Sequence, residues 1–109
     1  MPATSVRIVL TTVASAEEAE RLGRLLIEER LAACATMIPG ARSIYRWKGQ
    51  VETAEEYLML LKTVAGKVSA LEARLREVHS YETPEIVTIA AESVSRAYLQ
   101  WLEGCFEGE

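Results

Sequence analysis

The 109-residue sequence contains no aspartate and no asparagine, so every acidic side chain in it is a glutamate. Calcium loops of the EF-hand kind, kinase-type catalytic aspartates and Ser-His-Asp triads are therefore excluded. Glycine is sparse, and its six scattered positions match neither a P-loop nor a G-x-G-x-x-G turn. Cysteine occurs only at positions 34 and 105, far apart and without C-x-x-C spacing, so neither a disulfide framework nor a zinc ribbon is indicated. Reduced thiols suit the cytoplasm. No apolar run approaches the roughly 20 residues of a membrane span. The opening "MPATSVRIVLTTV" alternates polar and apolar residues where a signal peptide would carry a continuous apolar block. Basic residues are outnumbered, 12 against 16 acidic, giving a net charge of -4 and a pI near 5.1. Nucleic acid and anionic membrane surfaces are poor partners for such a chain. The scarcity of thermolabile amides beside many Glu and Arg points to a heat-adapted, thermostable protein.

What is present reads as one domain, residues 1–109, large enough for a single core. Residues 5–13 alternate as a central strand, with Val6, Ile8 and Leu10 on one face and Val9 on the other. Ser15 with Glu18 forms a capping-box pattern, and Ala19, Leu22 and Leu26 recur at helical spacing, which predicts a first helix over 16–31. From Ala33 the period drops to two, and Pro39-Gly40 predicts a bulge or bend. Ser43, Tyr45 and Trp47 then share a face, Lys48-Gly49-Gln50 supplies a turn, and a return strand sets Tyr57, Met59 and Leu61 against Glu56, Leu58, Leu60 and Lys62. Val68, Leu71, Leu75 and Val78 mark a second helix. Pro84 leads into a strand over 86–91, and a last helix after Ser93 carries Ala97, Tyr98, Trp101, Leu102 and Cys105 as an apolar stripe. The order β-α-β-β-α-β plus a terminal helix is that of the α+β, ferredoxin-like split βαβ sandwich, an antiparallel sheet with helices on one face.

The hairpin is too long for its own domain. Each arm has roughly 14 residues, about 45 Å at 3.3 Å per residue. A globule of this size has a radius of gyration of about 13 Å, hence a diameter near 34 Å. Edge strands bearing Tyr45, Trp47, Tyr57 and Met59 invite pairing unless covered, so a closed homo-oligomer is expected, with the hairpin of one copy adding to the sheet of the next.

Taken together, "LAACATMIPGARSIYRWKGQVE", "EEYLMLLKT" and "YETPEIV", in this order and spacing, resemble the divalent-cation-tolerance CutA family over about residues 6–103. The resemblance implies a tight homotrimer with interlocked hairpins, a link to tolerance of divalent metals such as copper, and an architecture similar to the trimeric PII signalling proteins. Copper ligation attributed to the family draws on a Cys ending the first strand and a His pair before the Y-x-x-P-E box. Those positions here read Thr11, Val78 and His79.

The metal candidates in this chain are thus His79, Glu82 and Cys34, each with a plainer alternative. A protonated His79 would also suit the carbonyl end of the second helix. Cys34 would also serve as buried packing, and Glu82, like Glu85, as a solvated loop charge. Trp47, Glu56, Lys62 and Tyr81 are candidates for a subunit-boundary cleft holding a small ligand. The leading expectation is a non-enzymatic trimer that binds or responds to divalent metal. The alternatives are a PII-like trimer binding an anionic metabolite or nucleotide at Lys62, and an enzyme using His79 as general base oriented by Glu82. No nucleophile-base motif and no phosphate loop supports either alternative.

Overall fold

The computed structural model describes residues 3–108. Strand β1 (Val6–Val13) leads into helix α1 (Ala16–Glu28), followed by β2 (Cys34–Trp47) and β3 (Gln50–Val64). A 3-10 turn at Ala65–Lys67 precedes α2 (Val68–Val78), β4 (Val87–Ala90) and α3 (Arg96–Gly104). The strands form one antiparallel sheet in the order β2-β3-β1-β4, the topology expected of a ferredoxin-like sandwich.

Helix α1 starts where its cap predicts. The Ser15 side chain accepts a hydrogen bond from the Glu18 N–H at 3.1 Å. The helix ends at Glu28 rather than near 31, because Arg30 turns into the left-handed region at φ 59° and the Leu31 and Ala32 N–H groups both fold back onto the Leu26 carbonyl. Gly23 lets α1 lie close on the sheet, since a Cβ there would sit 3.2 Å from the Ala35 Cβ.

One face of the sheet carries the core. Val9 and Val13 of β1 and Met59 and Leu61 of β3 pack against Leu22 and Leu26 of α1 and Leu71 and Leu75 of α2, all fully buried. Each such side chain contributes about 1.5–3 kcal/mol on burial.

The hairpin behaves as its sequence predicts. The ladder shifts register between Ile38 and Ala41, at Pro39-Gly40, where Gly40 has φ 78°. At the tip the turn is confined to Lys48 and Gly49, with φ 50° and 79°, because Gln50 already pairs with Trp47. Positive φ at both central residues is the type I′ geometry whose twist matches the two strands. The molecule measures 45 × 31 × 23 Å with a radius of gyration of 14.7 Å, so a 14-residue arm is as long as its longest dimension.

The second sheet face is met by α3 at its Cys34 end, where Tyr98 hydrogen-bonds the Cys34 side chain. Registers place Cys34, Lys62, Ile8 and Ile89 in one row, Thr36, Leu60, Leu10 and Val87 in the next, and Ile38, Leu58 and Thr12 in a third. Ile38, Val87 and Ile89 on this face are exposed. The apolar stripe of α3 is also mostly open: Leu102 is buried, whereas Tyr98 and Trp101 are exposed and stack with ring centroids 5.5 Å apart. Among the described residues no helix is long and apolar enough to cross a membrane.

Candidate functional site

The candidate site lies where the ribbon leaves the body of the sheet. Beyond α2 the chain passes through bends at residues 80–83, which bring the loop of Tyr81, Glu82, Thr83 and Glu85 over the β3 segment around Glu56. Ribbon and loop enclose a hollow of about 610 Å³ whose wall includes Tyr45, Trp47, Glu56, Tyr81, Glu82 and Glu85. Trp47 and Tyr45 are roughly half exposed, and Glu56 is 7% exposed.

Two carboxylates hold the loop in place. The Tyr81 hydroxyl donates to Glu56 Oε2 at 2.7 Å. Burial, and then this donation to a carboxylate, raises the Tyr81 phenol above its ordinary value of 10.0. Glu18 does not complete the capping box by folding back onto Ser15. Its carboxylate instead accepts from the Ser80 N–H at 2.9 Å and the Ser80 hydroxyl at 2.8 Å. Burial pushes the Glu18 carboxyl up, but the Ser80 bonds, His79 and the Ala14 backbone together outweigh it and leave the group below its ordinary 4.5.

His79 caps α2, and its N–H bonds the Leu75 carbonyl at 2.9 Å. Its ring does not point at the helix end as a free cation. Nδ1 accepts from the Tyr81 N–H at 3.0 Å, so the ring proton sits on Nε2 and is donated to the Thr12 carbonyl at 2.9 Å. Both nitrogens are occupied, and the ring fixes the loop to β1.

The sequence candidates divide into two places. Trp47, Glu56, Tyr81 and Glu82 line the hollow, with His79 behind it. Lys62 lies outside this hollow of the single chain, six residues along β3 from Glu56, about 20 Å at the strand rise. There its ammonium donates to Thr36 Oγ1 at 2.8 Å and stands 3.7 Å from Cys34 Sγ. The six-residue spacing puts both side chains on one face, but not in one hollow of a single chain. Cys34 is accordingly remote from His79 and Glu82 in the fold, and among the described residues no three His, Cys or Glu side chains gather to hold a metal ion within one chain. Thr11, at the position of the expected family cysteine, is fully buried and its hydroxyl has no hydrogen-bond partner among the described residues. Tyr45 and Glu85 join the wall as well. The alternation of Tyr45 with Trp47 was a signal for the first; the bends that aim Glu85 left none in the local pattern.

Residues 7–105 match the family described as CutA1 divalent ion tolerance protein. The divalent-cation tolerance protein CutA of Thermus thermophilus is 44% identical over 95 residues, 87% of this chain and 92% of that protein. Its counterpart in Pectobacterium atrosepticum is 40% identical over 87% of this chain and 86% of its own length. The crystal structure of CutA from Xylella fastidiosa superposes with a TM-score of 0.92 at 38% identity, covering 95% of this chain and all of that one.

Proposed function

Because the chain belongs to the CutA1 divalent ion tolerance family, we propose that it works as a homotrimer that binds or responds to divalent metal ions such as copper, without turning over a substrate. The observation that carries the assembly is the apolar sheet face, on which Ile8, Leu10, Leu58 and Leu60 lie in register beside exposed Ile38, Val87 and Ile89. Water on such a face is costly, and sister copies are its natural cover. The two edge strands, β2 and β4, and the open stripe of α3 support the same reading.

Within one chain the donors are dispersed, so a divalent ion would be held where subunits meet, with Glu82, His79 and Cys34 as the candidate donors. His79 would have to release Tyr81 to serve, because the lone pair of its ring is on Nδ1 and the proton given to Thr12 is on Nε2. The same two bonds argue against a catalytic role, since a general base needs a free nitrogen. A PII-like site for an anionic metabolite finds less support, because Lys62 lies outside the hollow and Glu56, Glu82 and Glu85 line it. Two unpaired cysteines suit the cytoplasm as its compartment.

Calorimetric titration of the purified assembly with Cu(II) tests the metal reading. Saturable binding, weakened in Glu82→Gln or Cys34→Ser, is expected. Heats indistinguishable from dilution, in wild type and both variants, contradict it.

A further inference from the structure

We propose that Cys34 and Cys105 form a two-thiolate site for a single soft monovalent ion, Cu(I), between the start of β2 and the end of α3. The site goes beyond the reading above, which concerns divalent ions held where subunits meet, and shares only Cys34 with it.

These are the chain's two cysteines, far apart in sequence, and the fold brings them to one region. Cys34 opens β2, at the opposite end of that strand from the ribbon tip at Trp47. Helix α3 meets the sheet there. Its Tyr98 hydroxyl hydrogen-bonds the Cys34 side chain and is within electrostatic reach of Cys105. Cys105 ends the same helix two turns further on, at the spacing that keeps it on the face of Tyr98. That end of α3 is fixed against the residues that precede Cys34. Arg30 Nη1 donates to the Cys105 carbonyl at 3.3 Å, and Cys105 shares the wall of a small hollow with Ala32 and Ala33. Contacts made within one chain therefore set both thiols. Both are unpaired and partly exposed.

The donor set selects the ion. Soft thiolates favour Cu(I), a d10 ion that is stable with two ligands in line, whereas zinc takes four ligands and Cu(II) a tetragonal set of nitrogen and oxygen. Among the described residues no three His, Cys or Glu side chains gather to serve those ions. Two thiolates around Cu(I) leave one negative charge. The Lys62 ammonium, 3.7 Å from Cys34 Sγ, offsets it, and the Tyr98 hydroxyl donates to the same sulfur. Cys105 Sγ donates to the Trp101 carbonyl at 3.4 Å. Loss of the thiol proton on metal binding releases that weak bond and frees the sulfur to turn toward Cys34. Two Cu–S bonds form, two protons pass to solvent, and no oxidation state changes.

The test titrates the reduced, full-length assembled protein, without oxygen, with Cu(I) supplied as its bicinchoninate complex. Withdrawal of one Cu(I) per chain from the chelator is expected, with a thiolate-to-copper charge-transfer band in the ultraviolet. Both thiols should then lose their reactivity toward iodoacetamide. Cys34→Ser and Cys105→Ser should each lower the affinity at least about a hundredfold, and Lys62→Met about tenfold. Serine replaces a partly exposed thiol at nearly equal size, and circular dichroism checks that each variant folds. No transfer of Cu(I) from the chelator, transfer undiminished in Cys105→Ser, or one Cu(I) shared between two chains overturns the proposal. Calorimetry with Cu(II) separates it from the reading above. Wild type that gives Cu(II) heats but takes no Cu(I) overturns this site alone; Cu(I) uptake without Cu(II) heats supports this site and contradicts the divalent reading.

Discussion

The Tyr81 hydroxyl reaches Glu56 Oε2 across 2.7 Å, tying the loop after α2 to the strand from which the ribbon springs. That one bond is the partner of a nearly buried carboxylate. Tyr81→Phe should therefore lower stability by about 1–3 kcal/mol, the cost of stranding a buried acceptor. Urea denaturation at pH 7 measures it. The raised phenol gives the bond a pH signature. Below the ordinary pKa of 10.0 both folded and unfolded chains hold the proton and the contribution is complete; above it the unfolded chain releases the proton first, so stability falls as pH rises. The alkaline loss should be steeper in wild type than in Tyr81→Phe.

Glu18 gives the opposite slope. Its carboxyl is held below 4.5 in the folded chain, so its contribution is full above that pH and is lost as the pH falls through the folded value. Glu18→Gln keeps one acceptor oxygen for Ser80 and should cost about 1–3 kcal/mol at pH 7. Acid titration of stability should then show a shallower decline below pH 4.5 in the variant than in wild type.

Thr11 offers a gain. Its hydroxyl is fully buried and has no partner among the described residues. Thr11→Val keeps the shape and removes the orphan, and should stabilise the protein by roughly 1–3 kcal/mol. A thermal midpoint at or below that of wild type would mean the hydroxyl is satisfied in solution.

On the open sheet face, Ile38 is 43% exposed. Glutamate there should change the stability of a single subunit by no more than about 0.5 kcal/mol, yet place a charge in the face proposed to be shared. Ile38→Glu should elute as a smaller species than wild type while keeping its circular dichroism.

The fold was legible where local rules act alone. Ser15 announced the start of α1, Pro39-Gly40 the bulge, Lys48-Gly49 the turn, and alternation in 34–38 and 56–62 the two faces of the ribbon. The candidate site was half legible. Trp47, Glu56, Tyr81 and Glu82 share one hollow, but Lys62 does not, because alternation reports a side chain's face and says nothing of its position along 20 Å of strand. Glu18 shows what no local pattern holds. Its spacing from Ser15 fits a capping box, whereas its carboxylate bonds Ser80, 62 residues away. His79 likewise had the position of a helix-end cation, and its partners Thr12 and Tyr81 are set by the packing of the loop on β1.

The central claim is that an apolar sheet face and a ribbon as long as the molecule are sheltered by sister chains. Light scattering coupled to size exclusion, on wild-type protein at micromolar concentration, tests it most directly. The account predicts a single species with three times the mass of one chain; a folded species with the mass of one chain would contradict it.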